Sequence, residues 1–297
     1  MTLFLSFFRC LALTAVVMAL VACSHLTGSQ QKSTRSYAKA TALLGNFSEA
    51  EFSRLRRDII ALRSSRFALR NSKKVAEADF FNLVYGTELS QRLSAAAALA
   101  AYGELLQALV REDIEDDLED VAEKLADHTA VVLGDDFNDR QQKGLQQLVE
   151  GLGNFWVERK RAQAITEIVS RYQPVVAQLT ALLATDLTLE GQQRGLMQLY
   201  RSEAKSLRND SYTIINSGAR YSYAERKVAA DALLQAEQAL QRIQRLTPKA
   251  DSALQALQRA NRQILQILKD KHYQTRDIKD YARKIRDMVR VYNAFAA

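Results

Sequence analysis

From Ala229 to Leu268 the apolar side chains return at steps of three and four. Ala229, Ala232, Ala236, Ala239, Ile243 and Leu246 form one run. Leu254, Leu257, Ile264 and Leu268 resume it, with Asn261 in the seam between them. This spacing puts all of these residues on one stripe of an α-helix and fits no single face of a strand. A seam built largely of alanine lets a second helix approach closely, and a polar residue in such a seam commonly fixes register. The same rhythm recurs elsewhere, and only two prolines interrupt 297 residues. Alternating runs of β-branched residues, the mark of half-buried strands, are lacking. The expected class is all-α: an elongated antiparallel helical bundle with coiled-coil-like hairpins.

Other segments fit this frame. Ser48-Glu49-Ala50-Glu51 matches a capping box and predicts a helix starting there, with Phe52, Leu55, Ile59 and Leu62 on its apolar face. Its other face is basic, with eight Lys/Arg and one Asp between Arg54 and Lys74. Leu93–Val110 is apolar around most of its circumference and reads as a central helix, with Glu104 its one charged residue. Arg111–Asp127 holds nine acids around an apolar seam of Ile114, Leu118, Val121 and Leu125. That acidic face is expected to meet water, or the basic helix 54–74. Thr247-Pro248-Lys249 is expected to join two antiparallel helices, residues 222–246 and 249–271, because proline is tolerated in a first helical turn.

The N-terminus is different in kind. Residues 3–22 are mostly apolar, Arg9 precedes the core, and small residues close it. This is the layout of a secretory signal. It ends in Leu20-Val21-Ala22-Cys23. That ending resembles the lipobox of bacterial lipoproteins of the Gram-negative type. The resemblance covers about a tenth of the chain. It implies cleavage before Cys23, diacylglycerol on the Cys23 sulfur and an acyl (palmitate) chain on the new amine. With Ser24 next, it also implies delivery to the outer membrane; the domain is expected to face the periplasm, with an outward orientation the alternative. Acyl chains contribute about 0.8 kcal/mol per buried CH₂, so several chains on one residue make a lasting anchor. The expected organisation is a signal peptide over residues 1–22, a flexible tether over 23–36 and a helical bundle over 37–297. The Gly/Ser/Thr/Gln-rich tether would span roughly 20 Å.

Loss of the leader removes only Arg9, leaving the net charge positive. Nucleic acid is not an expected partner of an exported protein, so the basic surfaces point to lipid head groups, acidic polymers or protein. Cofactor and metal sites are not expected. His25, His128 and His272 lie far apart, and no zinc spacing, phosphate-binding glycine loop or nucleophile elbow occurs. The reading is therefore non-catalytic: a membrane-anchored envelope scaffold or accessory protein, held by acylated Cys23 and docking an envelope protein partner. The candidate docking residues are Arg208, Tyr212, Arg220, Tyr221, Tyr223 and Arg226, because Tyr and Arg dominate binding hot spots. The alternatives are a membrane-active protein that inserts Leu93–Val110, and a bundle that binds a small ligand around Glu104.

Overall fold

The structure is a computed structural model that describes residues 26–70, 87–111, 118–134, 158–189, 195–217, 220–270 and 274–295. Among them are seven helices: α1 Gly28–Leu69, α2 Thr87–Val110, α3 Leu118–Leu133, α4 Glu158–Leu187, α5 Leu196–Ile215, α6 Tyr223–Lys269 and α7 Arg276–Ala294. The protein is an all-α bundle built on two long members. At 1.5 Å per residue, the 42 residues of α1 span about 63 Å and the 47 of α6 about 70 Å.

α1 and α6 run antiparallel. Near one end the Gln30 side chain donates to the Ile267 carbonyl at 2.7 Å, and farther along Ser65 donates to Gln235 at 2.7 Å. The end holding the α1 N-terminus and the α6 C-terminus is the proximal end; the α5–α6 turn marks the distal end. α2, α3, α4 and α7 pack around the proximal half. Among the described residues, α5 completes the distal half, lying against α1 and α6.

The tether expected over residues 23–36 is a helix from Gly28 onward. The Thr27 hydroxyl accepts from the Gln30 amide at 3.2 Å, and the Gln30 side chain accepts from the Thr27 amide at 2.8 Å. That reciprocal pair is a capping box. Polar composition suggests a linker, but Gln30, Ser33 and Thr34 are buried, and Gln30 reaches the α6 backbone, so tertiary contact holds this stretch helical. The helix expected to start at Ser48 is the same helix: Ser48 lies within α1 and its hydroxyl donates to the Leu44 carbonyl.

The hairpin expected at Pro248 is also absent, because α6 runs through it. Leu246, Ala250, Ala253 and Leu254 are all buried, so the apolar stripe continues across the proline. Pro248 and Gln244 are exposed. The carbonyl that proline leaves without its helical partner therefore faces water, which can satisfy it. Pro174 in α4 follows the same rule, exposed along with Ser170.

α2 is the central helix that its sequence predicts, with Ala95, Ala96, Leu99, Tyr102, Leu105, Leu106 and Leu109 buried. Residues 89–110 are long and apolar enough to cross a membrane, and 72% of an 18-residue stretch within them is buried in the bundle. α2 meets α1 at backbone range. A Cβ on Gly103 would lie 2.3 Å from the Ala42 nitrogen, and one on Gly45 would lie 2.4 Å from the Ala100 nitrogen.

Buried tyrosines fill the proximal core. Tyr102 stacks on Tyr172 with centroids 5.6 Å apart, and Tyr37 meets Tyr102 edge-on at 6.4 Å. Tyr37 donates to Asn261 at 3.1 Å, and Tyr281 to Thr41 at 3.2 Å. Asn261 also donates to the Gln173 carbonyl at 2.8 Å, while the Gln173 side chain returns a bond to the Asn261 carbonyl at 3.0 Å. The seam asparagine therefore ties α6 to α1 and α4 in one register. Burial holds the hydroxyls of Tyr37, Tyr102, Tyr172 and Tyr281 above the ordinary phenol range. Their neutral form is the folded form, so the stability they contribute is complete below pH about 10 and falls as pH rises. In an alkaline titration followed by phenolate absorbance, these four are expected to stay silent until the helical circular dichroism collapses. Ionisation of all tyrosines while the helix signal persists would contradict this core.

Candidate functional site

Polar and charged chemistry gathers, among other places in the described residues, at the distal tip and in a belt of buried charge below it.

The six docking candidates all fall at the distal tip. Arg208 is half-buried on α5. Tyr212 is exposed near that helix's end. Arg220 and Tyr221 occupy the α5–α6 connection, exposed and half-buried respectively. Tyr223 and Arg226 are exposed in the first turn of α6. The turn is held by a capping box that sequence reasoning missed. The Ser222 hydroxyl accepts from the Glu225 amide at 3.3 Å, and the Glu225 carboxylate accepts from the Ser222 amide at 2.8 Å. The Ser222 hydroxyl also donates to the Glu225 carboxylate at 2.7 Å, and that bond, with the one from the Ser222 amide, holds the Glu225 carboxyl below its ordinary range. Around the tip, Tyr212, Tyr223, Val228 and Leu234 are 46%, 78%, 48% and 60% exposed. The acylation candidate Cys23 lies outside the described residues.

Below the tip, the basic face of α1 turns inward. Arg63 Nε bonds Glu203 Oε1 at 2.9 Å, and Arg66 Nη1 bonds Glu203 Oε2 at 3.3 Å. Arg66 and Arg70 share Asp210 Oδ2 at 3.1 and 3.0 Å. The partners of this face are therefore α5 carboxylates. The acids of α3 do not take that role: Glu119, Asp120, Glu123 and Asp127 are exposed. Of the basic helix 54–74, Arg63 is buried and Arg66 half-buried in these pairs, while Arg57 and Arg70 are exposed. Its last two cations, Lys73 and Lys74, lie outside the described residues.

Closer to the proximal end, Arg242 of α6 binds Glu51 through Nη2 and Asp58 through Nη1, the latter at 3.2 Å. Its guanidinium lies 5.7 Å from the Tyr200 ring centroid. Arg242 and Glu51 are buried, at 4% and 0% side-chain exposure. Glu51 Oε1 and Arg242 Nε have no hydrogen-bond partner among the described residues. Beside this pair lies a cleft of about 410 Å³ whose walls include Arg54, Asp58, Tyr200, Gln238, Arg242 and Phe295. Arg54 spans its mouth, donating to the Phe295 carbonyl and lying 5.6 Å from the Tyr292 ring centroid. Each arginine in the wall already holds a carboxylate, so the cleft is a crevice lined by paired charges.

Burial pushes the Glu51 carboxyl up to about 7, and the attraction of Arg242 and Arg54 offsets only part of that. Burial likewise pushes the Tyr200 hydroxyl up to about 12, with the Asp58 carboxylate adding to the rise. A raised acid favours the folded state while protonated. The stability tied to Glu51 is present below pH about 4.5 and lost as pH rises toward 7. Between pH 8 and 5 the wild type is therefore expected to gain up to about 3 kcal/mol relative to Glu51→Gln. Urea unfolding of both proteins across that range measures it; a constant difference would show that Glu51 does not titrate.

Glu51, Asp58, Glu203 and Arg242 do not stand out in the sequence as a site. Glu51 reads as part of a helix start, and Asp58 as the lone acid on a basic face. One signal is present: Glu51, Asp58, Leu55, Ile59 and Leu62 share one stripe of α1, which places two carboxylates on its apolar side. Glu104, the carboxylate the sequence favours, is exposed.

Comparison of the chain with models of protein families, with curated proteins and with solved structures gives no match.

Proposed function

We propose that this chain is a non-catalytic envelope lipoprotein, anchored through acylated Cys23 in the outer membrane with the bundle in the periplasm, and that it docks a protein partner at the distal tip. The observation that carries the docking reading is the distribution of apolar surface. Among the described residues, four of the five exposed large apolar side chains, Tyr212, Tyr223, Val228 and Leu234, lie on the last turn of α5 and the first four turns of α6. Clustered exposed apolar residues with arginines beside them are the composition of an interface core. The membrane-insertion alternative is disfavoured by α2, whose release would open the tyrosine core and the close α1–α2 contact.

Photo-crosslinking in cells tests the tip directly. A photo-reactive residue at position 223 is expected to give one discrete protein adduct, while the same residue at exposed Lys39 near the proximal end gives none. Tyr223→Glu, with a native helix signal, should remove the adduct formed from position 212. Adducts at 39 and 223 alike, or at neither, would remove the tip as a docking site. Radiolabelled palmitate on wild type and its absence from Cys23→Ala tests the anchor separately.

A further inference from the structure

We infer that α7 is a membrane-facing helix whose outer stripe of cations lies on anionic lipid head groups. This rests on the lipid-anchor reading for its location, but its charge argument is independent of it. Along α7 the buried face is Ile278, Tyr281, Ile285 and Met288. The exposed positions between them are Arg276, Lys279, Arg283, Arg286 and Arg290. They step three, four, three and four residues, forming one unbroken stripe about 21 Å long. The acids of this helix sit lower on its flanks. Asp277, Asp280 and Asp287 are half-buried. Asp280 is shared by Arg259, Arg283 and Lys284, and Asp287 meets Arg290 at 3.8 Å. At its start, Arg259, Arg276, Lys279 and Arg283 line a wide polar groove between α6 and α7.

The stripe is within reach of the anchor. Tyr281 bonds Thr41, so α7 begins about level with the third turn of α1, at the proximal end. Four residues, Ser24 to Thr27, separate Cys23 from Gly28. Even fully extended, that stretch keeps the Cys23 backbone within about 18 Å of α1.

The rest of the bundle selects a flat anionic surface as the occupant. α7 packs on α1 and α6, whereas α3 packs on α2 at the other side. The exposed face of α3 carries Glu119, Asp120, Glu123 and Asp127 against one cation, Lys124. The proximal half is thus basic on one flank and acidic on the other. Against a negative membrane surface, the α7 flank is attracted and the α3 flank repelled, which orients the bundle. Each cation near such a surface favours contact by roughly fivefold, and salt weakens it.

The test uses the full chain purified from membranes and placed in vesicles bearing acceptor dye on their head groups. If Cys23 is acylated and Cys10 removed with the leader, Gln274→Cys is the single labelling thiol. Energy transfer from a donor dye there is expected to rise when anionic lipid is added to zwitterionic vesicles, and to fall back in high salt. Donor dye on Glu123→Cys should change in the opposite sense. A variant with glutamine at the five stripe positions should lose the gain while keeping its helix signal. Transfer from position 274 that ignores lipid charge and salt would overturn the proposal, as would a gain that survives the glutamine variant or appears at 123 instead. Dye uptake by the wild type at Cys10 or Cys23, located by mass, would refute the anchor and not the stripe. The same measurement on a Cys10→Ser/Cys23→Ser background then reads the stripe alone.

Discussion

Gly103→Ala is expected to destabilise the protein by about 1–3 kcal/mol, although alanine is the better helix former by about 1 kcal/mol. The sign is the informative part. On a solvent-facing helix the substitution would stabilise. At position 103 the new methyl meets backbone: the Ala42 nitrogen at 2.3 Å, the Ala38 oxygen at 2.6 Å and the Ala42 Cα at 2.8 Å. No side chain can turn away to make room. α1 and α2 must separate, and their separation loosens Tyr37 and Tyr102, which meet across the same contact. Gly45→Ala meets the Ala96–Ala100 backbone in the same way and should behave alike. A Cβ at Gly28 would have no neighbouring atom within 4 Å, so Gly28→Ala serves as the control and should be neutral or mildly stabilising. Urea or thermal unfolding of the three variants measures the effect. A stabilised Gly103→Ala would mean that α1 and α2 do not touch there.

Arg242→Ala carries the other large effect, an expected loss of about 3–5 kcal/mol at pH 8 and above, where Glu51 is ionised in the wild type. Removal of the guanidinium strands the buried Glu51 carboxylate, takes one partner from Asp58 and uncovers the Tyr200 ring. The cost arises from the orphaned charge more than from the lost attraction, because both ions were desolvated on folding. Two consequences separate this account from simple loss of packing. A double variant, Arg242→Met with Glu51→Leu, should recover most of the loss, since the buried ion pair is gone as a whole. The deficit of Arg242→Ala should also shrink as pH falls through 7, where Glu51 takes up a proton. A double variant as unstable as the single, or a deficit independent of pH, would refute the ion-pair explanation. Arg242→Lys should fall between, because one ammonium cannot serve two carboxylates and a ring as the planar guanidinium does.

Much of the helical inventory is legible in the sequence, and the reason is local. Leu93–Val110 announces itself as central because nearly every face is apolar, and the α6 seam because its steps never leave one stripe. Asn261 is recognisable because a polar residue on such a stripe must find a partner. Sequence and structure part company at helix ends. Ser48-x-x-Glu51 has the composition of a start and lies within α1. Thr247-Pro248 has the composition of a stop and is crossed. In both places the apolar stripe runs on beyond the signal, and burial against a neighbour outweighs a local preference worth about 1–3 kcal/mol. The true start of α1, Thr27 with Gln30, is hidden in a polar stretch that only contact with α6 makes helical.

Periodicity and targeting signals are written along the chain. For that reason the class of the protein, the stripes its helices bury and the expectation of a leader ending before Cys23 all follow from residue order. Which charges face inward does not. Arg63, Arg66 and Arg242 differ in no local way from Arg276, Arg283 and Arg290. The first three meet carboxylates on helices 137 to 191 residues distant in sequence, and the second three are exposed along the outer side of α7. A charge is buried only where folding brings it a counter-ion, and that pairing depends on how the helices are arranged in space.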